Sequence, residues 1–112
     1  MGSVSRDGKN ILLVTPEEHV LVQSLRQHRD GGAIAMVLAG DLDRLGEARG
    51  KHPDFACGQY EALANLEAEA GEVTREVVKG REGWEKRMDE ELKDVRVVAL
   101  RMSLREYEHG ED

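Results

Sequence analysis

The chain has 112 residues, 23 acidic and 16 basic side chains for a formal charge of −7, and 39% hydrophobic residues, enough for one domain that buries roughly two-thirds of its unfolded surface. With 35% charged and 4% aromatic residues, the composition favours helices over sandwiches or barrels, and the acidic balance, with no Lys/Arg block free of acids, excludes nucleic acid as the main partner. The lone Cys57 rules out an intrachain disulfide, no signal-peptide pattern opens the chain, and no apolar run approaches the ~18 residues of a membrane span, so a reducing cytoplasm is expected.

Residues 1–10 are polar and without periodicity, and a flexible N-terminal segment is expected over 1–14, followed by a single helical domain over 15–110. Thr15-Pro16-Glu17-Glu18 combines a capping Thr, a Pro at the first helical position and a Glu three residues after the cap. This predicts a helix to about Arg29, stopped by Gly31 and Gly32 in the left-handed conformation. A hairpin with strands at 11–14 and 20–25 is the competing local reading. A second helix is expected over Ala33–Arg49, with Ile34, Val37, Leu38, Leu42 and Leu45 facing the core and Gly50 to Pro53 ending it. A third follows over Cys57–Lys79, and beyond the loop at 80–83 a fourth over Trp84–Glu108. The fourth carries Trp84, Met88, Leu92, Val95, Ala99 and Met102 along one stripe. The expected fold is an all-α, four-helix bundle whose remaining apolar faces are closed by oligomerisation, as a dimer or tetramer.

On the third helix, stepping about 100° per residue places Asn65, Glu72 and Glu76 within roughly 60° of Glu69. Leu66, Val73 and Val77 flank this face on one side and Ala64 and Ala68 on the other, so the carboxylates are expected to look inward, with Glu67 and Thr74 left for water. On the fourth helix Glu91 and Asp94 lie one turn apart beside the apolar stripe. Antiparallel pairing of the two helices would bring Glu69, Glu72, Glu91 and Asp94 together. Four such groups in a partly dry site need protons or a divalent cation, and an all-oxygen donor set favours Mg²⁺ or Mn²⁺ over zinc.

Leu-Glu-Ala-Glu69-Ala-Gly-Glu72-Val, then Glu90-Glu91-Leu-Lys-Asp94-Val, resembles the paired helical motif of MazG-type all-α nucleoside triphosphate pyrophosphohydrolases. That motif is Glu-Glu-x-x-Glu followed after a spacer by Glu-x-x-Asp; here residues 73–90 form the spacer. The resemblance covers residues 50 to 104 and includes Lys51-His52-Pro53. It implies a MazG-like bundle in which Glu69, Glu72, Glu91 and Asp94 are the metal ligands. The outer Glu of the first pair is Ala68 here, a departure that bears on rate and water activation more than on metal binding.

The resemblance implies a Mg²⁺- or Mn²⁺-dependent enzyme that splits the α–β phosphoanhydride of a nucleoside triphosphate into the monophosphate and pyrophosphate. Glu72 or Glu69 would activate water, and Asn65, Arg87 and Arg101 would bind substrate, Arg87 having an intrahelical pair with Glu91 or Asp94 as its alternative. The competing reading is a catalytically silent helical protein that binds metal or nucleotide on the same scaffold, for which Ala68 speaks. His52 reads first as a turn residue; His19, His28 and His109 are too scattered for zinc. Cys57 is expected to be a small buried residue, Trp84 a core or dimer contact, and Lys79, Lys93 and Arg96 solvated cations.

Overall fold

The computed structural model describes residues 14–108. Readings that fall on 1–13 and on His109, including most of the first segment and all but Val14 of the strand expected at 11–14, lie outside the described residues. Among the described residues there are four helices, α1 (Pro16–Gln27), α2 (Gly31–Lys51), α3 (Gln59–Lys79) and α4 (Trp84–Ser103), and no strand. Residues 20–25 belong to α1, which removes the second strand of the competing hairpin. The chain divides into two compact units between Leu38 and Ala39, within the length of α2.

In the first unit, α1 opens on a full capping box. The Thr15 hydroxyl accepts from the Glu18 N–H at 3.1 Å, and the Glu18 carboxylate accepts from the Thr15 N–H at 2.9 Å. The stop differs from expectation. The helix ends at Gln27, with His28 extended at φ −97° and ψ 138°, and Gly31 and Gly32 begin α2 instead of ending α1. Gly31 is buried because the chain doubles back closely there; a Cβ on it would overlap the Leu25 carbonyl. Close approach, not left-handed backbone, is what requires this glycine.

The row expected to face the core along α2 is largely exposed. Of its five members only Leu45 is buried, whereas Leu42 is 61% exposed and Ile34, Val37 and Leu38 are also open. In the second unit α2 instead turns Asp41 and Arg44 toward α4, and Ala48 and Lys51 continue the same face at three- and four-residue steps. The helix stops at Lys51, ahead of Pro53, because proline disfavours helical backbone at the residue before it.

Helices α3 and α4 form the close-packed pair. The connecting loop needs left-handed backbone at both ends, and Gly80 (φ 59°) and Gly83 (φ 81°) supply it without a Cβ penalty. Glu76 with Arg87 near the loop, Glu69 with Asp94 further along, and Gly58 donating to the Tyr107 carbonyl at 3.2 Å at the far end fix an antiparallel register. The core of this unit is small: Leu45, Ala56, Ala62 and Val97 are the buried apolar side chains among the described residues. Along α4 the expected stripe is half-buried at Trp84, Met88, Leu92, Val95 and Met102, while Ala99 is exposed.

Helix α4 ends five residues before the expected Glu108. The Glu106 N–H donates to the Arg101 carbonyl and the Arg105 N–H to the Met102 carbonyl, both at 3.0 Å, while Arg105 takes a left-handed φ of 61°. That is a Schellman closure with arginine where glycine is usual, at a cost of about 1 kcal/mol. The turn is retained because it sends Glu106 back to Arg49 and Arg101.

Candidate metal centre and adjoining cavity

Glu69 on α3 and Glu91 and Asp94 on α4 each offer a carboxylate oxygen, and these atoms lie within 4.8 Å of one another. All three residues are half-buried. The spacing follows from helix geometry: Glu91 and Asp94 are one turn apart and share a face, and the antiparallel register sets Glu69 opposite them.

The cluster is short of positive charge. Burial, and then the fields of Asp94, Glu91 and Glu72, push the Glu69 carboxyl above its ordinary range against the opposing field of Arg44. Glu91 is raised in the same way, by burial first and then by Asp94, Glu72 and Glu76. Such a group could hold a proton or a cation, and oxygen-only donors suit a hard divalent ion.

One guanidinium reaches the cluster. Arg44 donates to Asp94 and, at 2.6 Å, to Glu90, with Glu47 of its own helix at 3.4 Å. Arg44 was not among the residues singled out from sequence. The available signal is the recurrence of Asp41, Arg44 and Lys51 on one face of α2, set against an apolar row that the structure leaves largely exposed. Asp41 belongs to the same signal: it is buried and paired in two bonds, at 2.8 and 3.1 Å, with Arg96, which had been read as a solvated cation.

The other sequence-derived residues fall in different places. Glu72 is not brought into the three-carboxylate cluster; its carboxylate is engaged by Arg75 one turn along α3. Asn65 lines a cavity of about 640 Å³ together with Glu69 and Asp94, with Arg44 and Lys51 on its α2 side. Arg87 does not line it. It sits at the loop end, donating to Glu76 at 2.8 Å and to the Arg81 and Glu82 carbonyls, and neither Glu91 nor Asp94 is its partner. The Arg87 bond holds the Glu76 carboxyl below its ordinary range.

Arg101 does line the cavity, but its guanidinium is already committed. The residue is 2% exposed and donates to Glu106 at 2.6 Å and to the His52 and Ala48 carbonyls at 2.9 and 3.4 Å, with its guanidinium carbon 4.8 Å from the Phe55 ring centre. Arg49 joins the same carboxylate from α2. The Arg49 bond is the main cause holding Glu106 below the ordinary carboxylate range; burial opposes it and Arg101 adds to it. His52 borders the cavity with an exposed side chain, and Cys57, expected buried, is exposed. Glu67 and Thr74 face water as expected. No described helix is long and apolar enough to cross a membrane. No protein-family model matches the chain, and no curated protein or solved structure matches it.

Proposed function

We propose that the chain is a Mg²⁺- or Mn²⁺-dependent nucleoside triphosphate pyrophosphohydrolase of MazG-like type. The observation that carries the reading is the convergence of Glu69, Glu91 and Asp94, three of the four motif carboxylates, from facing helices, two of them lining a cavity that Arg44 and Lys51 of α2 also line. The donor set fits a hard ion. Glu69, Glu91 and Asp94 would hold it, and Glu72 joins them on leaving Arg75. A bound ion would supply Lewis-acid chemistry there, polarising a phosphoryl group and lowering the pKa of an attacking water.

The chain's own groups supply the rest. Glu72 accepts a hydrogen bond from that water and orients it as a base, and Asn65 offers an amide to the substrate from the α3 wall. Arg101 acts through the cavity's shape, since its donors are used by Glu106 and two carbonyls. The exposed row Ile34, Val37, Leu38 and Leu42 supports a homo-oligomer, dimer or tetramer, in which a second copy covers this side of α2.

A second reading has its own support. Arg44 on Asp94 and Arg75 on Glu72 neutralise two motif carboxylates, and Ala68 replaces the family Glu; a catalytically silent metal- or nucleotide-binding protein would look the same. A panel of nucleoside triphosphates with Mg²⁺ separates the two. Monophosphate plus pyrophosphate supports the enzyme; nucleotide binding without turnover supports the silent protein; a diphosphate plus orthophosphate contradicts the proposed cleavage.

A further inference from the structure

We infer that the α2 wall of the cavity binds an oligophosphate chain, with Lys51 and Arg44 as its two cations. The inference deepens the reading above and rests on it for the role of the carboxylates that share the cavity. Lys51 and Arg44 are two turns apart on one face of α2, about 10 Å along the axis, and both line the cavity that Glu69 and Asp94 also line. An anion entering beside those carboxylates in a chain of net charge −7 needs local positive charge to be held.

The three Lys and Arg side chains that line the cavity differ in what they already hold. Arg101 is buried and bonded to Glu106 and two carbonyls. Arg44 is bonded to Asp94 and Glu90. Among the described residues lining the cavity, Lys51 alone of these cations has neither ion pair nor hydrogen-bond partner, and it is exposed. It is a point charge ready for a phosphate oxygen, and its use costs no existing bond.

Arg44 adds a coupling. Its partner Asp94 is also one of the three converging carboxylates, so a divalent cation there would compete with the guanidinium for the same carboxylate. A guanidinium released from Asp94 presents its fork to phosphate oxygens, where it can bind bidentately. Cation and oligophosphate then tighten one another reciprocally.

The test is calorimetric titration of the full chain with sodium tripolyphosphate, first in EDTA and then with Mn²⁺. Lys51→Gln is expected to weaken binding about tenfold in both conditions, the loss of one hydrogen bond between charged groups, and Lys51→Arg to restore it. Because Lys51 ties nothing together, its variants keep the wild-type melting temperature. Mn²⁺ is expected to tighten tripolyphosphate binding more for the wild type than for Arg44→Gln, in which the ion still attracts phosphate but releases no guanidinium; ion–phosphate association in solution is common to both and drops out of that difference. Equal affinity of wild type and Lys51→Gln overturns the wall, and equal Mn²⁺ enhancement in wild type and Arg44→Gln overturns the coupling. Mn²⁺ binding without phosphate is measured separately. If it is absent while Lys51-dependent binding persists, the metal centre fails and the wall stands.

Discussion

Two carboxylate sites in the second unit, Glu106 and the group Glu69, Glu91 and Asp94, stand in opposite electrostatic states. Glu106 is served by Arg49 and Arg101 and holds its charge easily. Glu69 and Glu91 crowd against Asp94 with one guanidinium between them and resist ionisation. A satisfied carboxylate fastens the fold; an unsatisfied one is tolerated where something else is to bind. Stability and activity should therefore part company between the two sites.

The largest separation is expected in turnover. Glu91→Gln, Asp94→Asn and Glu72→Gln should each lower pyrophosphate release by orders of magnitude, every tenfold being about 1.4 kcal/mol of lost transition-state stabilisation. Glu67→Gln, the same chemical change on the exposed side of α3, should leave the rate within twofold or so, since surface changes without partners act weakly. A coupled pyrophosphate assay decides, and equal losses in Glu67→Gln and Glu91→Gln would erase the distinction between the faces.

In stability the order reverses. Glu106→Gln leaves the buried Arg101 charge uncompensated, with the Ala48 and His52 carbonyls still bonded, and should cost about 3 kcal/mol, as removal of one charge from a buried pair does. Glu69→Gln removes a crowded charge and should raise stability by about 1 kcal/mol, the repulsion of two charges some 4 Å apart in a water-like medium. Urea unfolding at neutral pH measures both, and destabilisation by Glu69→Gln would place that carboxylate with the fastened site.

The pH profile carries the same contrast within the wild type. Glu69 and Glu91 have raised pKa values in the folded state, so their charge costs stability above those values, and the cost is relieved as pH falls through them. The folded-state pKa of Glu106 is depressed, so its contribution is present above the ordinary carboxylate value and is lost as pH falls through the depressed one. On acidification stability should first rise and then fall. Glu69→Gln should flatten the rise and Glu106→Gln should shrink the fall. The smallest effect is at the turn that positions Glu106: Arg105→Gly relieves the left-handed backbone at 105 and should gain about 0.5 kcal/mol after the entropic cost of glycine.

The parts legible in the sequence were those set by neighbours within one or two turns. The Thr15–Glu18 cap, the Gly80–Gly83 turn and the shared faces of Glu69 with Asn65 and of Glu91 with Asp94 depend on local spacing, and antiparallel pairing follows from the short loop. The apolar row of α2 gave the wrong inside face, because periodicity identifies an apolar side without saying what covers it. Arg44 and Asp41 escaped notice because their partners are 50 and 55 residues away and are reached by long side chains. Helix α4 ended early without a glycine to mark it. The bonds of Glu72 to Arg75 and of Arg87 to Glu76 are choices among several partners at helical spacing, which sequence alone leaves equivalent.

The proposed function stands on the Glu69, Glu91 and Asp94 cluster binding a divalent cation. Thermal unfolding with and without Mg²⁺ or Mn²⁺ tests it most directly, with Glu91→Gln alongside. An ion held only by the folded state adds about 2.7 kcal/mol at a hundredfold excess over its Kd. The wild type should therefore melt several degrees higher with the ion, EDTA should reverse the shift, and Glu91→Gln should lose it. A wild-type melting temperature unchanged at millimolar Mg²⁺ and Mn²⁺, or an equal rise in Glu91→Gln, would contradict the claim.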